Sequence, residues 1–339
     1  MSQLHIDNHY VPQLYLKQWA INGRIPTYSL LVAHHNAPLW KSRSPKGLAY
    51  HRNLYTNIVN GAENDELERW LDSEFEAPAE RPLALATHDC RLEPDDWHKL
   101  VRFAVAQDVR TPARLREFMR RQAEQLPAML DSAVKRVADK LISEDAAVHS
   151  VHGIEATGFP LKVSIEASED QESGILRAEA IIGRSLWHWS IRRLLTGTIA
   201  KVPARGWSIV KPARGYLWPS SDSPLIRLNY WNENNYNFEG GWNAPLGDVL
   251  LPLSPTHLLH RCAGVRPKTP GTRLEVATTR QIIRIIIEHA DRYVFAQQEF
   301  DIESIRKRAV DAQLLKEERM AWESWNSDQA QAEHGYSFG

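Results

Sequence analysis

The chain has two cysteines, Cys90 and Cys262, so no disulfide framework can hold it, and a reduced, cytoplasmic setting is expected. It has no long hydrophobic run. The most apolar stretch, Ile282 to Ile287, is broken by Arg284 and is far too short to span a bilayer. No basic segment followed by an apolar core stands at the N-terminus, so neither a signal peptide nor membrane association is expected. No sign of charge dominates: 41 Lys plus Arg face 42 Asp plus Glu. Any contact with nucleic acid or phosphate must therefore rest on a local patch. The P-loop, G-x-G-x-x-G, G-x-S-x-G and H-E-x-x-H patterns are all missing. The common ATPase, dehydrogenase, esterase and zinc-protease readings lose their sequence support with them. There is no repeat of fixed period and no low-complexity run.

What is present reads as globular. A chain of 339 residues at 43% hydrophobic can bury a sizeable core, and its 12 tryptophans point to packed aromatic contacts or a stacking surface. In Asn8 to Leu16, Pro12 suits a first helical turn, and Val11, Leu14, Tyr15 and Trp19 share one face. Thr27 to His34 reads as a strand, and a helix from Asn64 carries Leu67, Trp70, Leu71 and Phe75. Glu93-Pro94-Asp95-Asp96 starts a helix that Thr111-Pro112 should stop or kink; a second, amphipathic helix then spans 112–141. Residues 143–159 read as a polar loop and 175–195 as a helix. Short β-like runs follow at 207–210, 216–218, 225–230 and 249–253, separated by Pro, Gly and Asn. Helices return at 278–298 and 302–325. The fold class is α+β: mainly helical, with a small, mostly antiparallel sheet built largely from residues 205–255. Residues 1–300 are expected to form one domain and 301–339 a charged C-terminal helix and tail, a candidate surface for a protein partner.

Four polar residues stand out. His9, at a helix entry beside Asp7 and Asn8, is a candidate general base, with a structural capping histidine as the alternative. Gln107 and Arg110 continue the face of Leu100 and Phe103. Side chains of that kind on a core face need partners: a carboxylate, a phosphate or a carbonyl array. Asp222, in Ser220-Ser221-Asp222-Ser223-Pro224, either closes a turn or presents a carboxylate at a strand end. His257, His260 and Cys262 match no strong zinc spacing. Basic residues from Arg110 to Arg121 and from Arg192 to Arg214, near Trp207 and Trp218, suggest a phosphate-binding, base-stacking surface.

Several strings, in order, resemble a bacterial family of unknown function, catalogued as number 4238, whose members open with His-Tyr-Val-Pro. They are Asn8 to Leu16, Asn53-Leu54-Tyr55-Thr56, Gln107 to Pro112, Ser221-Asp222-Ser223-Pro224 and Pro252-Leu253-Ser254-Pro255. One departure is Ser220-Ser221, where the family more often has Thr-Ser. The resemblance covers residues 8–300, and it implies a bacterial intracellular domain but no reaction. It includes His9, Gln107, Arg110 and Asp222 among the motif residues. The first expectation is a hydrolase of nuclease or phosphoesterase type acting on a phosphate-containing substrate, RNA or DNA included. In it His9 is the general base or acid, Arg110 holds the phosphate, Gln107 orients it, and Asp222 orients His9 or holds a divalent metal. No other cofactor is expected. The second expectation is non-catalytic: the four residues form a buried network in a binding or regulatory component of a bacterial toxin or phage-defence system.

Overall fold

The computed structural model describes residues 4–59, 62–142, 161–167, 174–198, 201–245 and 247–334. The helices, in chain order, are α1 Gln13–Leu16, α2 Glu66–Leu71, α3 Glu80–Thr87, α4 Pro94–Val109, α5 Pro112–Ile142, α6 Arg184–Arg193, α7 Val276–His289 and α8 Ala312–His334. The fold is α+β, with several small sheets that are almost all antiparallel. The largest has five strands in the order Ser208–Val210, His257–Cys262, Gly247–Ser254, Ile226–Asn232, Asn235–Asn237.

Alternation along that sheet decides what covers it. Ile226, Leu228, Leu250 and Leu258 pack with Ile285 and Ile286 of α7. Val249, Leu251, Leu253 and Leu259 point the other way, into the main core with Leu100 and Phe103 of α4. Both faces are buried, which explains the nearly unbroken apolar run Val249 to Leu253. α4 begins as its sequence foretells: Glu93 and Asp96 form a reciprocal capping box, with Pro94 at the first position.

A four-stranded sheet, in the order Ser220–Ser221, Tyr293–Phe295, Ile25–Ser29, Trp40–Arg43, joins distant segments. Ser221 lies opposite Val294 there. A two-stranded pair sets Asp7–His9 against Tyr50–Arg52. These two pairings place Tyr10, His51, Asp222 and Asp291 around one opening.

Some elements differ from the sequence expectations, each for a local reason. The helix expected at 175–195 is a strand, Gly174–Ala180, paired with Leu161–Ala167, followed by α6. Ile175 to Ala180 alternates with a period of two, and Gly183 separates the two elements. The helix expected at 278–298 stops at His289. The Asp291 and Arg292 N–H groups bond to Asp222, and Tyr293-Val294-Phe295 takes the β form its residues favour. The helix expected at 302–325 starts only at Ala312, where the Asp311 carboxylate accepts the Leu314 N–H at 2.9 Å. The strand expected at 27–34 is split into Ile25–Ser29 and Leu31–Val32, and Tyr216 to Trp218 forms no strand. The loop expected at 143–159 lies outside the described residues.

α8 is docked against the rest of the chain. Arg184, fully buried at the start of α6, donates to Glu333 at 3.0 and 2.8 Å and to Asn326 at 2.6 Å. The Trp322 ring stacks on His51 with centroids 3.6 Å apart. Among the described residues no helix is long and apolar enough to cross a membrane.

Candidate active site

The four residues singled out in the sequence divide between two places. Arg110 is fully buried at the end of α4. Its Nη1 donates to Glu76, its Nη2 to the His9 carbonyl at 2.7 Å, and its Nε to the Tyr55 hydroxyl at 3.4 Å. Tyr55 in turn donates to the Arg110 carbonyl at 2.5 Å. Glu76 reaches the guanidinium from a π-helical turn, Asp72–Glu76, which re-aims the side chains that follow α2. Burial opposes the charge on Arg110, but Glu76, Tyr55 and Glu68 outweigh it and hold the guanidinium ionised. Glu68, 4.0 Å from Nη2, carries the strain of sharing it. Burial, only partly offset by Arg110, lifts this carboxyl to about 8, and its Oε2 is buried without a hydrogen-bond partner.

His9 enters this knot through its carbonyl, not its ring. The half-buried imidazole meets the Lys46 carbonyl at 3.2 Å, and burial depresses its pKa. Gln107, buried on α4, donates only to the Phe103 carbonyl, at 3.5 Å, and its Oε1 has no partner. The open site expected to gather these three with Asp222 is not what the chain builds: they sit in or beside an internal network centred on Arg110.

Asp222 lies elsewhere, on the floor of a cleft of about 630 Å³. Its two oxygens accept the backbone N–H groups of Asp291 at 3.0 Å and Arg292 at 2.8 Å. Burial first, then the charge of Asp291, holds this carboxyl far above the ordinary carboxylate range. Asp291 pairs with Arg116 of α5 and, at 3.0 Å, with Arg292. Arg292 grips Glu318 of α8 through Nε, at 2.9 and 3.2 Å, and through Nη2. His51 lies between Tyr10 and Trp322; burial and then Arg116 push its pKa down to about 3, so the ring is neutral. The site thus sets a proton-holding carboxyl beside an ion-paired one, with guanidinium groups around both. A carboxyl raised by its surroundings beside an ion-paired one is an arrangement suited to proton transfer near neutral pH.

The sequence reading missed Tyr10, His51, Arg116, Asp291 and Arg292. Tyr10 was within reach, since it lies in the same string as His9. Asp291 and Arg292 carried no local signal, because what places them is a contact with Asp222 some seventy residues away. The stacking surface expected around Trp207 and Trp218 is not formed, as both indoles are buried. His257 bonds Ser254 at 2.9 Å and Asp89 at 3.2 Å, and His260 bonds Asp248 at 2.7 Å. Among the described residues no group of three or more His, Cys, Asp or Glu side chains is arranged to hold a metal ion.

No curated protein and no solved structure matches the chain. The family model described as Protein of unknown function (DUF4238) matches residues 7–300. Four of the five strings that carry the resemblance each place a residue on the cleft: Tyr10, Asn53, Pro112 and Asp222. With most of its length matched, this chain belongs to the family described as Protein of unknown function (DUF4238).

Proposed function

We propose that the cleft binds a phosphate-containing substrate and hydrolyses its ester bond, with Asp222 and Asp291 exchanging the protons. The observation that carries this reading is the raised Asp222 carboxyl beside Asp291, inside a ring of arginines. Protonated Asp222 is the general acid and ionised Asp291 the general base. A water gives its proton to Asp291 and its oxygen bonds to phosphorus. The ester P–O bond breaks with its electron pair on oxygen, and Asp222 delivers a proton to the departing alkoxide. One proton is then shared again between the two carboxyls. Arg116 and Arg292 neutralise charge on the phosphoryl oxygens. His9, Gln107 and Arg110 are positioning residues in this scheme: Arg110 fixes the His9 carbonyl, and so the place of the next residue, Tyr10, on the cleft. Two free cysteines support a cytoplasmic setting, and the bacterial one rests on the resemblance of the sequence strings alone.

The test is hydrolysis of para-nitrophenyl phosphate and its bis ester by the full chain, with Asp222→Asn beside it. Turnover that falls at least a hundredfold in the variant is the expected result. Turnover unchanged in Asp222→Asn sinks the acid role. Loss of turnover on adding a chelator would reassign the two aspartates to a divalent metal. The buried knot around Arg110 favours one rival, a binding or regulatory component of a toxin or phage-defence system; phosphate binding without turnover would select it.

A further inference from the structure

The charge around the cleft carries a narrower conclusion, which rests on the phosphate-binding reading. Arg43, Arg52, Arg116, Arg292 and Arg319 all line it. Arg116 and Arg292 would share their charge between a phosphoryl group and the carboxylates they already hold, Asp291 and Glu318. Among the described residues no carboxylate pairs with Arg43, Arg52 or Arg319; Arg43 lies over the Tyr293 ring, 5.5 Å from its centroid. The facing carboxyls are Asp222, Asp291, Glu318 and Glu323. Asp222 is buried with both oxygens held by backbone N–H groups, so five cations face three open carboxylates, a surplus of two positive charges.

We propose that the cleft selects a phosphate monoester over a diester, and that Arg319 on α8 is a specificity-determining residue for that choice. A monoester carries a charge of about −1.5 to −2 at pH 7 and three free oxygens, which match a surplus of two and reach more than one guanidinium. A diester is capped on both sides. It offers two free oxygens and one charge, and leaves one cation without a counter-charge. The α8 wall lies outside the segment that the family model matches, which ends at residue 300. The acid pair therefore belongs to the family segment, and Arg319 adds selectivity from beyond it. Internal phosphodiesters of a nucleic-acid strand are poor ligands on this reading, whereas a terminal phosphate is a good one.

The experiment is calorimetric titration of the full chain and of Arg319→Gln with methyl phosphate and dimethyl phosphate at pH 7. These ligands differ by one methyl group and one ionisable oxygen. The native chain is expected to bind methyl phosphate at least tenfold more tightly. Arg319→Gln should narrow that ratio several-fold by weakening methyl phosphate alone. Arg319 is exposed, so the variant is expected to keep the native melting temperature. Equal affinities in the native chain overturn the monoester selection. An unchanged ratio in Arg319→Gln overturns the role of Arg319. Binding of neither ester removes the phosphate reading of the cleft itself, and this inference with it.

Discussion

Arg110 and Arg292 each hold a carboxylate, but one does so in the core and the other on the wall of an open cleft. Around Arg110 the partners are a carboxylate, a carbonyl and a phenol, and the guanidinium itself is fully buried. Around Arg292 the partners are two carboxylates from different segments, and one of them, Glu318, comes from the half-buried face of α8 that lines the cleft. The difference teaches how to read a polar residue on an apolar helix face. Such a residue must be satisfied, and the cheapest satisfaction is internal. Asp222 is held differently: two backbone donors fix it in place, while burial and a neighbouring acid raise its pKa, which is what the proposed acid role uses.

The comparison can be broken most forcibly at Arg110. Arg110→Ala strands Glu76 and Glu68 in the core and should cost about 3–5 kcal/mol, as loss of one partner from a buried ion pair does. Chemical denaturation reads it, and a loss under 1 kcal/mol would mean that the knot is not structural. Asp222→Asn is the opposite case. Its stability should change by about 1 kcal/mol, one hydrogen bond's worth, while ester hydrolysis falls by about 10²–10⁴. Glu68 gives the next effect, through pH. Its folded pKa, about 8, lies above the unfolded value, so the native state retains a proton that the unfolded state has lost. Its contribution is therefore fully present below the unfolded pKa and is lost as pH rises through about 8. The melting temperature of the native chain should fall across that window, and Glu68→Gln should flatten the fall. The smallest effect belongs to Gln107. Its Oε1 is already unpartnered, so Gln107→Leu should be neutral or stabilise by less than about 1 kcal/mol in the same denaturation series.

How much of this was legible in the sequence depends on whether the signal was local. The α4 start was written in Glu93, Pro94 and Asp96, and three of the five strands of the largest sheet in short β-like runs, because caps and alternation act over a few residues; Asn235–Asn237 and His257–Cys262 were not read as strands. The break after His289 was not legible. It depends on Asp222, nearly seventy residues away, drawing off two N–H groups that a continuing helix would bond to its own carbonyls. The site was half legible for the same reason. Face periodicity marked Gln107 and Arg110 as polar residues needing partners, but it could not say that Glu76 would supply one. Asp222 was found as a strand-end carboxylate. Its neighbour Asp291 was not, since only the strand order of the four-stranded sheet brings them together.

That strand order also dictates a sequence of events in time. Tyr293–Phe295 lies between Ser220–Ser221 and Ile25–Ser29, so the sheet begun near the N-terminus stays without its middle strand until residue 295 has left the ribosome. Until then Ile25–Ser29 has one open edge, with Tyr28 unburied and its backbone donors unpaired on that side, a state that invites pairing with other chains. The last piece to arrive, α8, also delivers the acid that neutralises Arg184. Synthesis and folding are thus out of phase here: residues 25–29 wait for residues 293–295. Slow release or shielding of the nascent chain should raise its yield more than any change to the early segment itself.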